Sequence, residues 1–201
     1  MTTLTSALAR VALTPLGTMH DNGHAIVLVG PDEPAFWGVF TDSPEYNDGA
    51  ADPMDRWSRR VLSGIARELG AEPLFPFGGP PFEPFFTWAI KTGRFWASPI
   101  GFLVHDQAGL FASFRGALRM PGEHAQDIST KPCDSCAQPC ATACPVDAFQ
   151  NGYDVAACKA HLTSQAGQDC RTNGCRARRA CPSGQGNRLP AQSAFHMRSF
   201  L

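Results

Sequence analysis

Cys133-Asp-Ser-Cys136-Ala-Gln-Pro-Cys140-Ala-Thr-Ala-Cys144-Pro145 puts four cysteines into twelve residues and closes on a Cys-Pro pair. Four more follow at Cys158, Cys170, Cys175 and Cys181, and Pro182 repeats the Cys-Pro pair. All 8 cysteines of the 201-residue chain fall in its last third. Thiols used as small core hydrophobes would be scattered among the apolar elements, so this clustering points to a group held by soft sulfur ligands.

Three chemistries use cysteines at such density. An even count permits disulfides, but residues 1–24 are mildly polar and lack the charged, apolar and small-residue succession of a secretory signal. A reducing, cytoplasmic setting is therefore expected, where these spacings mean metal more often than disulfide. Four-cysteine zinc sites also use C-x2-C, although they come as separated pairs. The first run is one residue longer than C-x2-C-x2-C-x3-C-P, the spacing whose thiolates hold [4Fe–4S] clusters. In two-cluster proteins of that kind the cysteine before proline serves the other cluster, so eight cysteines and two Cys-Pro pairs suit two clusters. The irregular Cys170-x4-Cys175-x5-Cys181 leaves one cluster as an alternative.

Composition narrows the partners. Residues 1–132 carry 10 basic and 14 acidic groups, net −4, whereas residues 133–201 carry 7 and 4, net +3. Arg176, Arg178 and Arg179 account for much of the second excess and suit the negative charge of thiolate-ligated clusters. The basic region is too narrow for nucleic acid to be an expected partner. No apolar run approaches the roughly 20 residues of a membrane span.

Ahead of the cysteines, Ala25-Ile-Val-Leu-Val-Gly30 reads as a buried strand. Trp57, Val61, Leu62, Ile65, Ala66 and Leu69 recur at three- and four-residue spacing between Asp52-Pro53 and Gly70, which predicts an amphipathic helix. The Pro- and Gly-rich stretch 72–84 reads as irregular, and 85–91 as a short helix. Residues 100–105 and 110–119 read as a hairpin around the turn 106–109. The order is strand, helix, strand, helix and hairpin, with the second strand expected inside the irregular stretches. This predicts an α+β protein, an α/β sandwich over residues 1–124 followed by a small ferredoxin-like iron–sulfur module with a C-terminal tail over 125–201. Eight aromatic residues between Phe75 and Trp96 are candidates for a pocket floor or for core. His105 and Arg115 are candidate cofactor-binding residues. A lone histidine is more often structural, and Arg115 among apolar neighbours needs an anionic partner. Residues 194–201 are amphipathic enough to pack on the body or on a second subunit, as in a homodimer.

Two portions resemble known families. Cys133–Pro182 resembles the iron–sulfur module of epoxyqueuosine reductases and, more distantly, of reductive dehalogenases. The likeness continues through Asp154-Val-Ala-Ala-Cys158-Lys-Ala-His-Leu-Thr163, Gly174-Cys175 and Cys181-Pro182. It implies one cluster on Cys133, Cys136, Cys140 and Cys181 and another on Cys144, Cys158, Cys170 and Cys175. The stretch 100–122, with His105, Gly109 and Arg115-Gly116, is similar to the hairpin of C-type cobalamin-processing proteins. These families share a nitroreductase-like sandwich that binds a corrinoid, so the resemblance implies cobalamin as a further cofactor. The expected function is one-electron transfer from two [4Fe–4S] clusters, supplied by a redox partner protein, to a corrinoid or small substrate held by the N-terminal domain. An oxidoreductase is the first expectation, and a ferredoxin-type electron carrier without a catalytic site of its own is the alternative.

Overall fold

The computed structural model describes residues 3–201. The N-terminal elements are α1 (Leu4–Ala9), β1 (Leu13–Asp21), β2 (His24–Pro31), α2 (Ala35–Thr41), α3 (Pro44–Asn47), α4 (Pro53–Leu69), β3 (Glu72–Leu74) and α5 (Phe85–Lys91). Then follow β4 (Phe95–Ala97), β5 (Leu103–His105), β6 (Gly116–Pro121), α6 (Val155–Thr163), α7 (Gln168–Asn173), α8 (Arg176–Arg179) and α9 (Pro190–Arg198). Helix and sheet are thus mixed. The chain divides into two compact units, one of residues up to Arg94 with Ser113–Ser129, the other of Phe95–Ala112 with Thr130–Leu201. The segment 95–112 groups with the cysteines, whereas a boundary at 124/125 would leave it with the sheet.

The first unit is built on an antiparallel sheet in the order β1-β2-β6-β3. Asn22 and Gly23, at φ 50 and 77, make the two-residue turn that joins β1 to β2. Both central residues of this turn type need positive φ, which Asn-Gly supplies at least cost. Every residue of β2 from Ala25 to Pro31 is buried, the mark of a central strand covered on both faces. The predicted helix is α4, opened by Pro53 and closed by Gly70 at φ 64, with Trp57, Val61, Leu62, Ile65 and Ala66 buried. It packs on β3 and β6, and a Cβ on Gly116 would lie 2.5 Å from a Leu62 methyl carbon and 2.8 Å from the Leu74 carbonyl oxygen, a backbone atom, so glycine suits that approach.

Three expectations change. Strand β1 lies in a region read as merely polar, and its Asn-Gly turn was the available signal. Residues 72–74 at the head of the supposedly irregular stretch form the edge strand β3, where Pro73 is tolerated because an edge leaves some N–H groups unpaired. The hairpin of 100–105 with 110–119 does not form. Strand β5 pairs with β4, while β6 pairs with β2 and β3. An isolated two-stranded hairpin is marginal, and the apolar β6 gains two partners and buried faces in the larger sheet.

The second unit has the β4–β5 pair, short helices and two small cores. One gathers Ile100, Val104, Leu110, Cys140, Ala177 and Cys181, the other Leu162, Cys170 and Met197. The C-terminal helix α9 packs on α7 within this unit. Among the described residues no helix is long and apolar enough to cross a membrane.

Candidate metal centres

The eight cysteines, all unbridged, divide into two quartets, each around its own cavity. Cys133, Cys136, Cys140 and Cys181 line one with Ser98, Val104, Leu110, Pro132 and Pro182. Cys144, Cys158, Cys170 and Cys175 line another with Phe149, Leu162 and Met197. Both cavities lie wholly in the second unit.

Local backbone geometry builds the first quartet. The spacing Cys136-x3-Cys140 holds the residue extra to the bacterial pattern, and Gln138 absorbs it in a left-handed conformation at φ 55. Its N–H then donates to Cys136 Sγ at 3.3 Å, and Cys140 follows on the single 3-10 turn Pro139–Ala141. Cys181 comes from beyond α8 and is held by the turn between β5 and residue 109. A Cβ on Gly109 would lie 2.0 Å from the Ser183 carbonyl oxygen and 3.1 Å from Cys181 Sγ. One on Gly184 would lie 2.5 Å from the Ala108 carbonyl oxygen. Both glycines have positive φ, so backbone meets backbone here with no room for a side chain.

His105 organises that turn. It is 2 % exposed, and its Nδ1 accepts from the Gln107 N–H at 3.3 Å and the Ala108 N–H at 3.1 Å. With Nδ1 accepting, the ring proton sits on Nε2, 3.0 Å from Asp106 Oδ1. Both nitrogens are thus engaged in shaping the turn. Arg115 belongs to the other unit, where its N–H donates to the Val29 carbonyl at 2.8 Å and its Nη2 donates to Ser113 Oγ at 3.1 Å. Asp55 is the local carboxylate that feels it. Burial pushes the Asp55 carboxyl up and the Arg115 charge opposes that rise. Neither His105 nor Arg115 lines a thiol cavity.

Helix ends assemble the second quartet. Cys158 sits on α6, whose first turn is capped by Asp154 Oδ1 accepting from the Ala157 N–H at 2.9 Å. Cys144 Sγ accepts from the Ala148 N–H at 3.4 Å. Cys170 accepts from the backbone N–H of Arg176, and Cys175 from those of Ala177 and Arg178 at the start of α8. The Tyr153 hydroxyl donates to Cys158, and its pKa is pushed up by burial first and by that bond second. Asp169 braces α7 to α8, accepting from Arg176 Nε at 2.7 Å, from Asn173 at 2.8 Å and from Arg179. Those bonds, Arg176 foremost, hold its carboxyl down at about 2.

Of the three arginines singled out in the sequence, Arg176 and Arg179 are thus committed to Asp169. Arg178 lies 5.1 Å over the Phe102 ring. Burial pulls its pKa down and the neighbouring Cys175 opposes that shift.

Comparison with known proteins found no matching family model, no matching curated protein and no matching solved structure. The site therefore has to be read from its own chemistry. Burial pushes the Cys133, Cys140, Cys170 and Cys175 thiols up, and the sulfurs around them add to the effect in each case. Four thiolates in one apolar cavity repel one another and lack solvation, so ligation to cationic iron or zinc is the natural compensation. Among the described residues no three His, Cys, Asp or Glu side chains lie close enough to hold a metal ion. Four sulfurs lining one cavity are a donor set of the chemistry used both by four-cysteine zinc and by an iron–sulfur cubane.

The aromatic residues expected to floor a pocket divide. Phe85, Trp88 and Phe95 are buried, Phe82 and Phe86 are exposed, and Phe75 with Phe77 lies under Arg59.

Proposed function

We propose that this chain is an iron–sulfur redox protein with two [4Fe–4S] clusters. One is assigned to Cys133, Cys136, Cys140 and Cys181, the other to Cys144, Cys158, Cys170 and Cys175. The single observation that carries this reading is the division of eight cysteines, with none left over, into two quartets around two separate cavities. Each quartet also mixes ligands from the two Cys-Pro repeats, because Cys181 joins the first run while Cys144 leaves it. That exchange agrees with the resemblance to the iron–sulfur module of epoxyqueuosine reductases and reductive dehalogenases.

When bound, the clusters supply one-electron chemistry at low potential. The chain's own residues do the rest. Backbone N–H groups of Gln138, Ala148, Arg176, Ala177 and Arg178 donate to cysteine sulfurs, which stabilises their anionic form. Val104, Leu110, Leu162 and Met197 give the thiol cavities apolar walls. Cys175 and Ala177 belong to the wall of the second cavity and pack with the core beside the first, so the two quartets share a wall.

As acceptor we propose a corrinoid, such as cobalamin, or a small substrate bound by the N-terminal unit with a nitroreductase-like sandwich. The chain would then be a cytoplasmic oxidoreductase served by a redox partner protein. The ferredoxin-type carrier is the second reading. It draws on the burial of Phe85, Trp88 and Phe95, which gives three of the expected pocket aromatics to core packing.

Anaerobic reconstitution tests the first claim. About eight iron and eight sulfide per chain are expected, with electron paramagnetic resonance of two reduced clusters. One zinc per quartet would overturn it. Titration with cob(II)alamin separates the acceptors, since a changed cobalt spectrum supports the corrinoid and an unchanged one leaves the carrier.

A further inference from the structure

Ser98 follows β4 and lines the first thiol cavity beside Cys133, Cys136, Cys140 and Cys181. The residue is 8 % exposed, and its buried Oγ has no hydrogen-bond partner among the described residues. A buried hydroxyl left in that condition is destabilising, so it marks a position where a further acceptor belongs. Its backbone is already engaged. The Ser98 N–H donates to the Phe102 carbonyl at 2.9 Å, and its carbonyl accepts from the Gly101 N–H at 3.0 Å. Those two bonds fix the turn that carries the side chain. Apart from Gln138 and Ser183, the other residues lining the cavity are cysteines or apolar.

We propose that the Ser98 hydroxyl donates a hydrogen bond to a sulfur of the group held by the first quartet and thereby raises its reduction potential. This rests on the two-cluster reading above. Reduction adds a negative charge that the sulfurs share, so a donor fixed beside them stabilises the reduced state more than the oxidised one. Ser98 is a positioning and tuning residue; it supplies no ligand. Nothing in the sequence marks it, because a serine in a turn is commonplace.

The test compares wild type, Ser98→Ala and Ser98→Thr after anaerobic reconstitution. Iron and sulfide are counted, both midpoint potentials are titrated, and exchangeable protons near the clusters are read by pulsed electron paramagnetic resonance in D2O. The alanine variant keeps both turn hydrogen bonds, which are made by backbone. It is expected to retain full iron and sulfide, with one midpoint potential lowered and the other unmoved. The expected shift is about tenfold in that reduction equilibrium, or about 59 mV for a one-electron couple. One exchangeable-proton coupling disappears with it, and threonine restores both signals. Full cluster content with unchanged potentials and couplings in Ser98→Ala overturns the role of Ser98 and leaves the two-cluster reading standing. Wild-type protein that takes up no iron and sulfide overturns both. If the alanine variant loses iron, the threonine variant decides: wild-type potential and coupling support the proposal, and their absence overturns it.

Discussion

The two thiol quartets each contain four cysteines and are held by different physics. The first takes three cysteines from eight consecutive residues, and its fourth is fixed by steric closure, Gly109 against Ser183 and Gly184 against Ala108. The second draws on four separated positions and depends on helix ends, an ionic brace at Asp169 and a half-buried hydroxyl at Tyr153. A short-range site needs the backbone to be able to turn. A long-range site needs helices to be held in place, and here charge does much of the holding.

The largest effect expected from breaking this contrast is at Gly109. Gly109→Val places a branched side chain where even a Cβ would overlap a carbonyl. Iron should fall to about four per chain, one cluster of the two, with the spectrum of the second cluster retained. Loss from both quartets would show that the first supports the second. His105→Ala comes next. It removes the acceptor for the part-buried Ala108 N–H, while the Gln107 N–H keeps Asp106 Oδ1 at 2.9 Å; one lost hydrogen bond of about 0.5–1.5 kcal/mol should lower the melting temperature. First-quartet iron should become more labile, and cob(II)alamin binding, if present, should be unchanged. Weakened corrinoid binding with normal iron would return His105 to a ligand pocket.

Asp169→Asn is the corresponding strike at the second quartet. The carboxyl lies at about 2 in the folded protein against 3.8 for the unperturbed group. Its contribution to stability is therefore fully present above about 3.8 and is lost as pH falls through about 2. Wild-type apoprotein should lose melting temperature across that window, while the asparagine variant starts lower and loses less there. At neutral pH its second-quartet iron should be released several-fold faster, and equal release rates would remove the brace from the account. The smallest effect is expected for Tyr153→Phe. Loss of one hydrogen bond to Cys158, about 0.5–1.5 kcal/mol, should lower only the second potential.

Legibility followed the range of the interaction. The helix over 53–69 was readable because its apolar spacing, Asp52-Pro53 and Gly70 are all local. The β1–β2 turn was equally local in Asn22-Gly23, and only the polarity of the surrounding residues hid it. The partners of β6 were not readable, since a strand's pattern states that it is half-buried without saying against what. His105 and Gly109 stood out in the sequence, and the structure ties both to the turn that closes on Cys181. Ser98 carried no signal at all, because an orphaned hydroxyl exists only once the cavity around it does.

By itself the sequence determined the presence of eight clustered thiols, the extra residue between Cys136 and Cys140, and the local turns and helices, since each depends on neighbours a few positions apart. The quartets named on the strength of a resemblance are the ones that the cavities gather, but spacing alone left that pairing open. Only the tertiary structure decided which sulfurs share a cavity, why Gly109 must be glycine, and which arginines brace the helices through Asp169. Those properties arise where segments distant along the chain meet, and chain spacing carries no record of that meeting.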